Sequence, residues 1–277
     1  MHLVKQIALL FLRFRNPLKT VTMKSVRRHP VIAAVILFLF IQVPVFISDS
    51  AAADTRNISL PQPQLLAVPV EKSFDELVRA EADSLYNAME LSTTGLESEA
   101  FQLAFKGYSK LLHDGLVTLT NILTIADFSK SSSQRRLFVI DVEQKKILFH
   151  TLVAHGRNSG LNYATSFSNK KESNKSSLGF YLTLDTYYGG NGYSLKLKGL
   201  EKGINDNAYE RAIVMHGSDY VNTAFGRSNG YMGRSFGCPA VPRKQAVPII
   251  NTIKNGSVLF IYHPQENYVE RSAILNS

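Results

Sequence analysis

From residue 123 onward the sequence is written in short runs of β-forming residues, each closed by Gly, Asn or a polar turn. This texture narrows the fold more than any other feature. The runs fall at 123–128, 136–142, 147–154, 179–184, 193–200, 211–216 and 257–262, and Glu143-Gln144-Lys145-Lys146 reads as the turn joining the second to the third. Strands this short, joined by turns, predict an antiparallel, mainly β sandwich or open barrel. A helical segment precedes them, over 71–122. Ser73 with Glu76 forms a capping-box pattern, followed by Leu77, Val78, Ala82, Leu85 and Met89 near helical spacing. A second helix start is read at Thr94 with Glu97. Its apolar stripe is Ala100, Phe101, Ala104, Tyr108, Leu111 and Leu112, with Gly115 as C-cap. Such a stripe packs as core, so the expected class is α+β.

The formal charge of +9 overstates how basic the folded part is. Seven of the 31 basic residues precede residue 30, where no acid occurs, and without residues 1–53 the balance falls to +3. A nucleic-acid partner needs a clustered basic face, and the remaining sequence supplies none. The early charge belongs instead to a targeting segment. Lys24, Arg27 and Arg28 precede an uncharged apolar run at 31–47, and Ala51-Ala52-Ala53 fits a small-x-small cleavage pattern. Residues 1–53 therefore read as a signal peptide or, if uncleaved, a membrane anchor, and the folded part is expected in the periplasm or cell envelope. The membrane is reached only through that segment. Pro61, Pro63 and Pro69 mark residues 54–70 as an extended linker. No feature speaks to oligomeric state.

Cys238 is the single cysteine. It cannot form an intramolecular disulfide, and a free thiol outside the cytoplasm is exposed to oxidation. It lies in a tight turn, Arg234-Ser235-Phe236-Gly237-Cys238-Pro239, and 22 positions earlier His216-Gly217 ends an apolar run. A thiolate is the reactive form of cysteine, and a neighbouring imidazole promotes it. A lone cysteine is more often core than catalyst; its pairing with His216 makes it a candidate nucleophile. Asp219 is read as a loop carboxylate rather than a third member of a triad. His150, His155 and His216 invite a metal reading, but no Cys or carboxylate cluster completes a zinc set. No metal and no cofactor are expected.

His-Gly, a loop, then Ser-x-Gly-Cys resembles the YkuD-type L,D-transpeptidase catalytic domain, in its divergent branch carrying Gly-Cys-Pro-Ala. The resemblance includes Val153-Ala154-His155-Gly156, Ser176-Ser177-Leu178-Gly179 with Tyr181, and Gly192-Tyr193-Ser194-Leu195, and covers about 123–262. Phe236 stands where the main branch has His, and Pro239-Ala240 replaces the segment with its Arg. The resemblance implies a catalytic domain over 123–277 that acts through a cysteine thioester on peptidoglycan stem tetrapeptides. D-Ala would be released and a 3→3 cross-link formed.

In that scheme Cys238 attacks, His216 takes its proton, and backbone N–H groups around Gly237 and Cys238 hold the oxyanion. Pro239 has no N–H to offer. Substrate contacts are expected from Gly217, Ser235, Arg234, Tyr231 and His155, the last near the cleft mouth. Arg234 or Arg227 would replace the main-branch Arg. Hydrolysis by an L,D-carboxypeptidase or endopeptidase, a sortase-like enzyme, and a non-catalytic wall-binding protein are the alternatives.

Overall fold

The computed structural model describes residues 73–277; the predicted signal or anchor (1–53) and linker (54–70) lie outside them. Helix α1 (Phe74–Ala88) opens with the expected reciprocal cap. Glu76 N–H donates to Ser73 Oγ (3.3 Å) and Ser73 N–H to Glu76 Oε2 (2.8 Å). A 3₁₀ turn, Leu91–Thr94, follows, and the Thr94 hydroxyl donates to Leu91 O within it. Thr94 thus closes this turn instead of opening the next helix; α2 (Ser98–His113) begins after Glu97. At its end Gly115, at φ 72°, lets Leu116 N–H reach back to Leu111 O, while Gly115 N–H bonds Leu112 O.

Eight strands make one sheet. They are β1 (Ile122–Asp127), β2 (Leu137–Asp141), β3 (Lys146–Thr151), β4 (Gly179–Gly189), β5 (Gly192–Gly199), β6 (Val214–Ser218), β7 (Ala240–Pro242) and β8 (Val258–Tyr262). Their order is β3-β2-β1-β8-β4-β5-β6-β7. Pairing is antiparallel except at β1–β8 and β6–β7. The two edges meet just beyond β3. Ala154 N–H donates to Ala240 O (2.8 Å) and Ala240 N–H to Ala154 O (3.4 Å), and a second bridge joins Gly156 to Ser235. Of the two expected architectures this is the barrel, nearly closed. Closure matters because an open strand edge exposes unpaired N–H and C=O groups.

Strand β1, which reads as alternating, is buried along its whole length, because α2 packs against β1 and β8 from outside. Helix α2 approaches closely enough that a Cβ at Gly107 would lie 2.0 Å from Phe180 Cζ, and Phe180 is stacked on Phe260 at 4.3 Å. Three helices follow the strands that carry the site: α3 (Thr223–Asn229), α4 (Arg243–Ile253) and α5 (Glu266–Arg271). Among the described residues no helix is long and apolar enough to cross a membrane.

Helix α4 buries Ala246, Ile249, Ile250 and Ile253 and presses on β6 at Gly217. A Cβ there would meet Ala246 Cβ at 2.8 Å and Arg243 Cα at 3.1 Å. Gly217→Ala should therefore destabilise the protein by about 1–3 kcal/mol, the usual scale of overpacking, read as a lower urea midpoint with an unchanged m-value.

Candidate functional site

The apolar run Ile213-Val214-Met215 sets β6 between β5 and β7, with His216 opposite Ser194 on one side and Ala240 on the other. Cys238 lies two residues before Ala240, so the parallel register brings it alongside Val214, two residues from His216 on the same side of β6. The sulfur is held by backbone. Val214 N–H donates to Cys238 Sγ (3.5 Å), and the thiol points to Ala212 O (3.8 Å). Ala212 adopts φ 54°, the left-handed bend that turns this carbonyl toward the sulfur. Burial pushes the Cys238 thiol up, while the Val214 N–H and the Arg211 charge pull it down.

His216 is buried, and its Nδ1 is 3.2 Å from Gly217 O. A carbonyl only accepts, so Nδ1 carries the proton and Nε2 the lone pair. Burial holds the imidazole below its ordinary value, and the nearby Arg243 charge acts in the same direction. The ring is thus neutral at pH 7 and oriented by its own strand, the role the sequence left without an occupant. Cys238 lies in the turn before β7 and His216 in β6, and the thiol is bonded to backbone instead of to the imidazole.

The turn before Cys238 is tied to itself and to a neighbouring loop. Ser235 Oγ donates to Cys238 O (2.6 Å) and accepts from Gly237 N–H (3.0 Å), and Ser176 Oγ donates to Gly237 O (3.1 Å). Gly237 has φ 125°, and a Cβ there would meet Lys175 O at 2.9 Å. These contacts bear on two expectations: Ser235 holds the turn from within, and the Gly237 N–H donates to Ser235 Oγ. The Cys238 N–H makes no hydrogen bond among the described residues.

His155 is corrected more strongly. It is 0 % exposed, with Nδ1 2.8 Å from Arg136 Nη2, Nε2 3.2 Å from Gly160 O, and its ring edge-on to Phe128. Since Arg136 can only donate, His155 accepts at Nδ1 and donates from Nε2. It belongs to the interior, not the cleft mouth. Gly217 likewise serves helix packing. Arg234 reaches Arg157 O (3.0 Å) and Gly160 O (3.2 Å) through Nη1 and lies over the Tyr231 ring at 5.3 Å. Both are partly exposed, so they form a wall that fastens the 157–160 loop to the turn. Arg227 lies in the last turn of α3.

Two further neighbours of the thiol are Tyr220, which from sequence reads as a cleft wall or as loop packing, and Arg211, to which the sequence assigns no role. Tyr220 packs edge to backbone on Gly233, where a Cβ would come within 2.4 Å of Tyr220 Cβ, and it senses the charge of Cys238. Arg211 opens the run 211–216, read from sequence as a strand, but lies before β6 (Val214–Ser218). Beyond Ser218 a groove of about 570 Å³ opens, with Arg135, Arg243 and Lys244 on its walls and Asp219 bonded to Arg243 (2.7 Å). Among the described residues no three His, Cys, Asp or Glu side chains are grouped to hold a metal ion.

Residues 92–262 match the sequence model of a family described as the L,D-transpeptidase catalytic domain. Solved structures with similarity include an L,D-transpeptidase from Mycobacterium smegmatis: 12% identity, 52% of this chain and 59% of that one, TM-score 0.33. An L,D-transpeptidase from Stackebrandtia nassauensis gives 12% identity over 69% and 80% of the two chains, TM-score 0.32. The L,D-transpeptidase LdtMt1 in complex with imipenem gives 12% identity over 51% and 59%, TM-score 0.32. The present chain thus spans about three-fifths of the first and third of these. No curated protein sequence matches it.

The buried histidine makes a stability prediction. Desolvation and the Arg136 charge hold His155 down at about 3, whereas an unfolded histidine titrates near 6.5. The unfolded state therefore binds the extra proton, and stability is full above about pH 6.5 and falls as pH drops toward 3. His150, His216 and His263 are lowered too and act in the same sense. Urea midpoints should fall between pH 6.5 and 4.5, and His155→Asn should remove the largest single share of that slope.

Proposed function

The chain belongs to the L,D-transpeptidase catalytic domain family, and from that premise we propose that it cross-links peptidoglycan through a cysteine thioester. The observation that supports this is the position of Cys238 beside Val214, two residues before His216 in β6, with His216 Nδ1 fixed on Gly217 O. His216 Nε2 takes the thiol proton as the sulfur leaves Ala212 O. The thiolate attacks the carbonyl between the third stem residue and the terminal D-Ala. Cys238 N–H is the available donor for the oxyanion. The C–N bond breaks, the D-Ala amine leaves with the proton from His216, and a thioester remains. An acceptor amine attacks it and gives its proton to His216, the C–S bond breaks, and that proton returns to the sulfur. No cofactor enters the scheme.

In the groove beyond Ser218, where Arg243 is paired with Asp219, the charges of Arg135 and Lys244 suit the carboxylates of stem peptides. Action on the cell wall implies export, for which residues 1–53 are the proposed signal or anchor.

Purified protein incubated with a defined muropeptide tetrapeptide should give a cross-linked dimer lacking one D-Ala by mass spectrometry. Cys238→Ala should give none, and His216→Gln should lose about 10²–10⁴ in rate, the usual yield of a positioned general base. Tripeptide alone would reassign the reaction to hydrolysis. An unchanged substrate with no acyl adduct on Cys238 would overturn the reading. Lys244→Glu should raise KM about two- to fivefold with kcat unchanged, the scale of one exposed ion pair.

A further inference from the structure

Arg211 spends its guanidinium on a single loop. Nη1 donates to Ser168 O (2.8 Å) and Ser177 Oγ (2.6 Å), and Nη2 to Lys175 O (2.6 Å) and Ser173 Oγ (3.3 Å). That loop is the one whose Ser176 hydroxyl holds the Gly237 carbonyl. On its other side the guanidinium lies against the nucleophile turn, since a Cβ on Gly237 would stand 3.3 Å from Arg211 Nη2. The residues that follow Arg211 wrap the sulfur, with Ala212 O and Val214 N–H as its two backbone partners. The cation thus packs between the loop it organises and the turn that carries the sulfur.

We propose that Arg211 is a positioning residue for the nucleophile, one that fixes the turn through the 168–177 loop and supplies the positive charge opposite the Cys238 thiolate. The proposal rests on the reading of Cys238 as nucleophile and deepens it. Among the described residues, Arg211 is the fixed positive charge beside the sulfur in the resting site, since the other groups around it are uncharged or turned elsewhere. His216 is neutral at rest, held so by burial. Tyr220, beside the thiol, and Tyr181, beside Arg211, are both pushed up by burial and stay uncharged. Lys175 turns its ammonium to Ser166 Oγ (2.7 Å), and the Arg157 guanidinium lies over the exposed Phe236 ring at 4.8 Å. Burial raises the Cys238 thiol and lowers the Arg211 guanidinium; against that, the Arg211 charge draws the thiol down and the thiolate favours the charge on Arg211.

Because Cys238 is the only cysteine, its ionisation can be read without any substrate. Iodoacetamide alkylation, in which the thiolate sulfur displaces iodide, is followed against pH on the full-length protein. Arg211→Gln should move the midpoint up and slow alkylation at pH 7 about tenfold, the effect of removing one opposite charge at close range. The double variant Ser173→Ala, Ser177→Ala keeps the charge while loosening the loop, and should leave the midpoint in place. An unmoved midpoint in Arg211→Gln, or an equal shift in the double serine variant, would overturn the proposal.

A second reading needs no change at Arg211. The Arg211 side-chain NMR signal should follow the thiol titration in the native protein and lose that step in Cys238→Ser. A signal without the step in the native protein would count against the pairing. Neither readout involves peptidoglycan, so a failed cross-linking assay leaves this result standing, and the reverse also holds.

Discussion

The barrel closes through two bridges, Ala154 to Ala240 and Gly156 to Ser235, and the position of Cys238 follows from them. Cys238 lies on the short arc between Ser235 and Ala240, pinned at both ends to the chain leaving β3. The strand pair β6–β7 then fixes the offset between Cys238 and His216 by backbone register, without any bond between their side chains. A one-residue slip on this seam would move the sulfur to the opposite face. The pinning is continued from behind by loop carbonyls: Ser235 N–H bonds His155 O and Arg157 N–H bonds Ser235 O. Reactive geometry here is a consequence of closure.

Beneath that seam lies an unusual interior. Arg136 is fully buried, donating to Val153 O and Lys130 O as well as to His155, with its guanidinium 4.6 Å over the Phe128 ring. Burying a guanidinium carries a large desolvation cost, offset only when its donors are satisfied. Asp127 stands close enough to favour the charge, yet burial raises its own carboxyl and its Oδ2 has no partner. Geometric definition is what the arrangement gains. Arg136 fixes the His155 tautomer, and His155 Nε2 then shares the Gly160 carbonyl with Arg234. Loop 156–160, the wall beside the turn, is thereby held from the core outward.

Much of this was legible in the sequence. The seven β-runs appear as β1 to β6 and β8, and the Ser73 capping box forms as written. Strand β7 was not, because three residues ending in Pro242 carry no period. Helix α4 was hidden by Pro248 in its interior and by a first turn of Arg243, Lys244 and Gln245. Cys238 and His216 stand out in the sequence because chemistry restricts residue type, and the fold brings their segments side by side. For the remaining motif residues the structure shows other demands. His155, Gly217 and Ser235 are constrained by close packing and backbone bonding, and motif spacing alone does not distinguish such demands from contact with substrate. Arg211 carried the opposite problem. Its neighbours are acidic and small, and only folding brings the 168–177 loop and the nucleophile turn to either side of it.

The resting state of the thiol ties these observations together. A cysteine between a carbonyl acceptor and an amide donor, in a site that raises its thiol, is held mostly as S–H. Oxidation follows thiolate character, so this state protects the sulfur while it waits. The same burial keeps His216 neutral and therefore able to accept a proton. Both groups are thus uncharged, and in the proposed reaction ionisation would create an imidazolium and a thiolate together in a low-dielectric pocket, where a nearby cation weighs more than it would in water. The guanidinium behind Gly237 is fixed by four hydrogen bonds before that charge appears, so its field requires little reorganisation when the sulfur ionises. A flexible surface lysine would lack that fixity, and a second histidine in the same burial would lack the charge.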